Sequence, residues 1–175
     1  YSFYTVNGML VLYVTNAVQG FGFTNGQAAT LSSWYQAAIY LTPLVGGFLA
    51  DRYIGYRRAI TIGGIFFMAG HALLAVPDSL PIFYLALTCL FVGNGFFKPN
   101  VSSMVGNLYP EGSHLKDKAY LVFYMGINIG AFLAPVVAEY MRTHFGFHPA
   151  FFMGAVGMML SLAIFWSNQK YVRRA

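Results

Sequence analysis

Residues 90–109 read LFVGNGFFKPNVSSMVGNLY and place one lysine, Lys98, inside a long run of apolar and uncharged residues. A charged side chain at membrane depth costs at least about 2.5 to 3.5 kcal/mol. Such residues usually face a cavity and pair with an acid or a ligand. Because roughly ten residues separate Lys98 from the end of the run at Tyr109, its stem is too short to reach the headgroups. The segment predicts a membrane helix with a functional lysine.

The composition of the whole chain also indicates a membrane protein. Of 175 residues, 58% are hydrophobic and only 9% are charged, whereas an ordinary soluble domain carries about 25% charged residues. The net charge of +5 is spread over short clusters, a pattern that does not indicate a nucleic-acid surface. The single cysteine, Cys89, excludes a disulfide or a cysteine metal site within the chain. No cofactor is predicted.

Six apolar segments approach the about 20 residues that a bilayer core requires of a helix. Glycine, asparagine, proline and polar stretches separate them. They cover residues 1–19, 27–50, 59–76, 81–109, 119–141 and 148–167. Because the chain starts without Met or a basic signal region, we expect a truncated first helix and ends that are both cuts within a longer protein.

The basic residues alternate between loops. Lysine and arginine concentrate in cytoplasmic loops, and eight of the ten fall after helices two, four and six: Arg52, Arg57, Arg58, Lys116, Lys118, Lys170, Arg173 and Arg174. The other loops carry almost none, with Arg142 between helices five and six. The pattern predicts a multi-pass protein of the cell membrane (the inner membrane in a bacterium), with both ends of the chain cytoplasmic.

Other polar residues lie within the predicted spans. Tyr4, Asn7, Tyr40 and Asn128 are candidates for a pocket, although hydrogen bonding between helices would also satisfy them. The GNG triplet of residues 93–95 favours close helix packing, and Pro99 favours a kink. His71 and His148 are interpreted as structural. No span contains an acid that can neutralise Lys98, so its partner is a ligand or lies outside this sequence.

Three segments then resemble a known family. GGFLADRYIGYRR, residues 46–58, resembles the helix two to three signature of the major facilitator superfamily, with spacing typical of the proton-dependent oligopeptide transporters. GNGFFKPNVSSMVGNLY (93–109) and FYMGINIGAFLAP (123–135) resemble that family's helix four and five signatures. The resemblance covers essentially the whole chain. It implies an all-α membrane protein in which residues 1–175 form the N-terminal six-helix bundle, and the C-terminal six-helix bundle lies outside the sequence.

The resemblance also implies roles for particular residues. Lys98 matches a lysine that pairs with a helix one glutamate and helps to bind the substrate carboxylate. The other matched residues are Tyr4 and Tyr40 in the pocket, Asn128 against the peptide, and the cytoplasmic gating charges Asp51, Arg52, Arg57 and Arg58. The chain departs from the family in three ways. The helix one ExxER motif should end just before Tyr1 and is absent from this sequence. Phe3 replaces a tyrosine, and Asn7 replaces an arginine that many members carry.

The resulting functional hypothesis is proton-coupled symport of di- and tripeptides by alternating access. A family member that carries nitrate or another small solute is the alternative, and a non-transporting membrane sensor or a membrane enzyme is the alternative of another class. The sequence has no HExxH, no paired intramembrane aspartates and no Ser/His arrangement at usable spacing, so an enzyme is not expected. The expected partners are a peptide, a proton, the bilayer and the C-terminal bundle, but no nucleic acid.

Overall fold

The computed structural model describes residues 2–172, which form six α-helices and a π-helical turn. The helices are α1 Ser2–Thr15, α2 Asn25–Leu49, α3 Tyr56–Leu74, α4 Leu80–Asn107, α5 His114–Phe145 and α6 Phe147–Ser167, and the π-helical turn, Ala50–Ile54, continues α2. The prediction of an all-α protein with six helices is confirmed.

Helix α4 lies at the centre of the bundle. It packs along α3 and α2, while α3 also packs on α6, and α1 contacts α2, α5 and α6. A cluster of aromatic rings closes one end of the core around the buried Tyr13 of α1. The centre of its ring lies 5.3 to 5.8 Å from the ring centres of its neighbours, as is typical of aromatic packing. These neighbours are Phe21, Phe83, Phe147, His148 and Phe151.

Local sequence signals account for the helix starts. Thr24 and Gln27 form a capping box at the start of α2, which satisfies two backbone donors that the first turn leaves free. Ser113 accepts a hydrogen bond from the Leu115 N–H at the start of α5. Gly55 and Gly146 precede α3 and α6 with φ of +77° and +94°, a region that favours glycine because it has no Cβ.

The boundaries of three helices differ from the prediction. Helix α1 ends at Thr15 rather than near residue 19, because the Asn16 side chain accepts hydrogen bonds from the N–H groups of Val18 and Gln19 and thereby forms a turn. Helix α3 starts at Tyr56 rather than near residue 59, so Arg57 and Arg58 lie in its first turn and not in a loop.

Helix α5 is longer at both ends than the predicted 119–141. The Ser113 cap starts it five residues earlier than expected, so Lys116 and Lys118 belong to the helix rather than to the preceding loop. At the other end, Arg142 lies in the last turn, where its guanidinium binds Glu139 one turn earlier at 2.5 Å. This i, i+3 pair supports the helix beyond the apolar segment.

The predicted close packing at the GNG triplet is present. A Cβ on Gly93 would lie 2.8 Å from the Phe67 nitrogen and 2.9 Å from the Gly63 oxygen, both on α3. A Cβ on Gly95 would lie 2.8 Å from the Thr42 carbonyl oxygen on α2. Successive helical residues point about 100° apart, so the two glycines let α4 approach two different helices.

Pro99 and Gly46 complete the contact between α2 and α4. Proline has no N–H to donate to the carbonyl four residues earlier, which here is that of Gly95. A Cβ on Gly46 would overlap this same carbonyl oxygen. Gly46 therefore lets α2 cover the group that Pro99 leaves without its helical partner.

Three of the helices, α4, α5 and α6, are long and apolar enough to cross a membrane by length and composition alone. The described α1 has 14 residues, and the first half of α2 carries several polar side chains. Large apolar side chains are exposed along α2 and α5, among them Leu44, Leu121 and Phe132. Exposed apolar area on this scale is expected of a protein that contacts lipid or another helical bundle.

We expect Gly46→Ala to destabilise the protein by about 1 to 3 kcal/mol, the usual cost of overpacking, because the new methyl group meets the backbone of α4. The measurement is the apparent thermal unfolding temperature of the full-length protein in detergent. Gly126→Ala on α5 is the matched control, since nothing lies within 4 Å of its added Cβ. Equal unfolding temperatures for the two variants would contradict the packing described here.

Candidate functional site

Lys98 lines a cavity of about 350 Å³ between the helices. Its walls come from α1, α3, α4, α5 and α6, and they are mostly apolar or aromatic. The lining residues include Phe3, Tyr4, Phe67, Phe97, Phe123 and Met158. Lys98 is the only charged residue among those that line this cavity, so its ammonium group sets the electrostatics of the site.

The nearest aromatic partner of Lys98 is Phe3. The Lys98 Nζ lies 5.5 Å from the centre of the Phe3 ring, a cation–π distance that contributes about 0.5 to 2 kcal/mol. Within residues 2–172 the ion pair that the structure forms is Glu139–Arg142, so no described acid neutralises Lys98. The side chain is exposed to the cavity and is available to an anionic ligand.

Of the other predicted pocket residues, the structure brings only Tyr4 to this cavity. Tyr4 follows Phe3 on α1, and their rings meet edge to face at 5.2 Å. Tyr40 is 69% exposed on α2 and does not line the cavity. Asn128 lies in a separate shallow groove on α5 with Tyr124 and Phe132.

Asn7 lies outside the cavity and connects two helices. Its Oδ1 accepts a hydrogen bond from the Gln36 Nε2 of α2, while its side chain remains exposed. The alternative considered for the polar residues, hydrogen bonding between helices, thus applies to Asn7. Asn7 and Gln36 thus place two hydrogen-bonded amides, rather than a charge, on this face of the bundle.

The four predicted gating residues surround the π-helical turn and the start of α3. Asp51 and Arg52 are exposed, and they do not form an ion pair with each other in the described part of the chain. The nearby Asp51 carboxylate instead raises the pKa of the Tyr56 hydroxyl at the start of α3.

Arg57 and Arg58 point to a different neighbour. The Arg57 guanidinium donates to the Gln169 side chain, which follows α6, and both arginines line a groove with Thr61 and Gln169. Thr61 in turn accepts a hydrogen bond of 3.2 Å from the Trp166 indole N–H. Arg57 thus connects α3 to the segment that follows α6.

Sequence reasoning missed the polar groups that anchor α4. The buried Asn94 donates to the Ile39 carbonyl of α2 at 2.9 Å, and the buried Asn100 donates to the carbonyls of Gly46 and Phe96 at 3.3 and 2.7 Å. Asn94 precedes Lys98 by one helical turn, so its bond also sets the rotation of α4 at the cavity. The available signal was two asparagines at depth, Asn94 between two glycines and Asn100 directly after Pro99.

Comparison with known proteins establishes the family. The model of the POT family matches residues 57–175, which is more than half of the chain. The chain belongs to the POT family. The prediction of a proton-dependent oligopeptide transporter relative is confirmed, and since the family consists of transporters, the alternative of a membrane enzyme is wrong.

Individual POT relatives agree with this assignment. An uncharacterised transporter of Bacillus subtilis, YclF, is 40% identical over 97% of this chain and 35% of its own length. A di-/tripeptide transporter of Lactococcus lactis subsp. cremoris is 36% identical over 95% of this chain and 34% of its own length. The chain therefore spans about a third of the length of these relatives.

Solved POT structures share the fold. A peptide transporter POT in complex with sulfate is 40% identical, with a TM-score of 0.93 over 97% of this chain and 35% of that one. A POT family transporter in complex with 5-aminolevulinic acid is 32% identical, with a TM-score of 0.92 over 97% of this chain and 35% of that one. The six helices are thus arranged as in these membrane transporters.

We expect Asn94→Ala to lower the stability of the full-length protein by about 1 to 3 kcal/mol, because it leaves the buried Ile39 carbonyl without its donor. The measurement is again the apparent unfolding temperature in detergent. Asn128→Ala is the control, since the Asn128 side chain is exposed and its removal should leave that temperature unchanged. If Asn94→Ala unfolds at the wild-type temperature, Asn94 does not anchor α4.

Proposed function

We propose that the full-length protein is a proton-coupled symporter of di- and tripeptides, and that residues 1–175 are its N-terminal six-helix bundle. The observation that carries the proposal is Lys98, the single charged residue that lines a largely apolar cavity and has no described acid as a partner. A charge in such surroundings is stabilised strongly by an opposite charge, because the low local dielectric weakens the attraction little.

The substrate carboxylate would be the anion that Lys98 binds. Relatives of this chain are described as di-/tripeptide transporters, and the structural neighbours hold sulfate, 5-aminolevulinic acid and a thioalcohol-conjugated peptide. Sulfate and the acid each offer an anionic group to a cation. The apolar and aromatic walls around Lys98 would accommodate peptide side chains of varied size.

Proton coupling would work through competition for Lys98. An acid outside the described residues, expected on helix one by family resemblance, would pair with Lys98 while ionised. Its protonation would release the lysine to the substrate, since an unpaired buried charge is costly and seeks a new partner. Rocking of this bundle against a C-terminal bundle would then move the site from one side of the membrane to the other.

The remaining residues take supporting roles in the proposal. Tyr4 would orient the substrate beside Lys98, because the two share the cavity. Tyr40, Asn7 and Asn128 are exposed on α2, α1 and α5 and would contact substrate at the surface between the bundles. The gating residues Asp51, Arg52, Arg57 and Arg58 would close the cytoplasmic side, with both ends of this chain in the cytoplasm of a cell-membrane protein.

One observation favours nitrate or another small solute as a second candidate substrate. Phe3 presents a ring without a hydroxyl to Lys98, and Asn7 lies outside the cavity with its amide bound to Gln36. The described cavity thus offers one cation and few free hydrogen-bond donors, which suits a small anion as well as a peptide. The test is whether nitrate inhibits dipeptide uptake. Nitrate inhibits competitively only if it binds the same site as the dipeptide.

We expect Lys98→Ala in the full-length protein to lower proton-driven uptake of a labelled dipeptide at least about tenfold, the loss typical when a buried charge loses its partner. Uptake is measured in proteoliposomes with an imposed pH gradient and normalised to the amount of folded protein. Lys118→Ala, near the start of α5, is the control and should retain uptake. Wild-type uptake by Lys98→Ala would refute the proposed role.

We expect Asp51→Asn to lower the maximal rate of uptake about two- to fivefold without changing KM, because the residue lies outside the cavity and acts on conformational exchange. The measurement is the concentration dependence of dipeptide uptake. Asp78→Asn is the matched control, since Asp78 is exposed in the loop before α4. A change in KM alone would show that Asp51 acts on binding rather than on gating.

A further inference from the structure

A buried histidine lies directly behind the wall of the Lys98 cavity. His71 of α3 is fully buried and follows Phe67, which lines the cavity, by one helical turn. Its Nε2 is hydrogen-bonded to the Ser2 hydroxyl at the start of the described α1. Its Nδ1 is buried without a hydrogen-bond partner within the described residues. Through Nε2 the ring is therefore attached to α1.

Helix α6 holds the ring in this orientation. A Cβ on Gly154 would overlap the Nδ1 and Cε1 atoms of His71, so the imidazole rests against the backbone of α6 at that glycine. Ser2 and Gly154 both line the cavity. His71 thus fills the junction of α1, α3 and α6, where the first turn of α1 meets the cavity wall.

The contact continues from Ser2 to Lys98. Neighbouring residues of a helix point about 100° apart, so a turn that directs Ser2 toward His71 directs Phe3 to another face. The Phe3 ring lies in the cavity, 5.5 Å from the Lys98 Nζ.

We propose that His71 is a positioning residue, which holds Ser2 and thereby places the Phe3 ring over Lys98. This sets how much of the ammonium group is open to an incoming anion. A buried hydrogen bond contributes modestly to stability but is geometrically specific, which suits a role in orientation. This positioning role depends on the proposed transport function only in the experiment that measures uptake.

The first experiment measures Lys98 directly and does not require transport. The full-length protein in detergent is treated with a small amine-acylating reagent, and the labelling rate at each lysine is followed by peptide mass spectrometry. Ser2→Ala and His71→Leu should each raise the rate at Lys98 about threefold, as should Phe3→Ala. Lys116, Lys118 and Lys170 serve as internal controls whose rates should stay constant.

Conservative variants separate positioning from general packing. His71→Gln and Ser2→Thr retain a group able to hydrogen-bond and should label as the wild type does. The double variant Ser2→Ala/His71→Leu should label no faster than either single variant, because both changes remove the same bond. His144→Leu, an exposed histidine in the last turn of α5, is the matched control for replacing an imidazole by an apolar side chain.

The second experiment tests the consequence for transport. His71→Leu and Ser2→Ala should raise the KM for dipeptide about three- to tenfold, the range set by loss of one hydrogen bond, with the maximal rate per folded protein preserved. A loss of maximal rate at constant KM would indicate a structural role and overturn the proposal. So would unchanged Lys98 labelling in both variants, or a His71→Gln variant as altered as His71→Leu.

The two proposals fail in different ways. If Lys98→Ala transports normally while Ser2→Ala and His71→Leu still raise Lys98 labelling, the function is wrong and the positioning role stands. If Lys98→Ala abolishes uptake while the labelling is unaffected by either variant, the function stands and the positioning role is wrong.

Discussion

The backbone contact of α4 with α2 on one side and α3 on the other determines where the cavity residues of α4 lie, Lys98 among them. In a bilayer the lipid tails are as apolar as leucine, so helices associate through close packing and hydrogen bonds rather than through the hydrophobic effect. Gly93 and Gly95 remove the side chains that would separate the helices. Asn94, between them, adds a hydrogen bond to the Ile39 carbonyl. Three consecutive residues thus attach α4 to both of its neighbours.

Lys98 follows from this arrangement because it lies one turn beyond Asn94 on the same helix. Its ammonium group faces an apolar cavity, where the Phe3 ring is a weak partner. A cation–π contact contributes about 0.5 to 2 kcal/mol, whereas an ionised carboxylate in a low-dielectric site attracts a cation far more strongly. An arriving carboxylate can therefore displace the ring at little cost. A cation with only a weak partner in the site suits reversible binding of an anion.

At the end of the bundle near the π-helical turn, polar side chains rather than glycine backbones make the contacts. There the Arg57 guanidinium donates to the neutral Gln169 side chain after α6. Asp51 and Arg52 are exposed and form no ion pair within the described residues. They stay available to a surface outside this chain. That availability fits a chain that spans about a third of its relatives.

The sequence alone determined the number of helices and the family, and it singled out Lys98, whose role stays a prediction. The family followed from the resemblance of three motifs. The helix count and the choice of Lys98 follow from local composition, since a long apolar run requires a helix in lipid and a charge within it requires a partner. It also indicated close packing at residues 93–95. The helix ends were less predictable, because single caps such as Ser113 and turns such as that at Asn16 decide them.

Only the tertiary structure decided which polar residues meet. The sequence grouped Tyr4, Tyr40, Asn7 and Asn128 by depth, yet Tyr4 alone shares the cavity with Lys98. Membership in a cavity depends on the rotation of each helix about its axis, which packing against neighbours sets and hydropathy does not record. The bond between His71 and Ser2 joins residues 69 positions apart. Such a contact exists only once α1, α3 and α6 have come together, because no pattern within one helix specifies a partner on another.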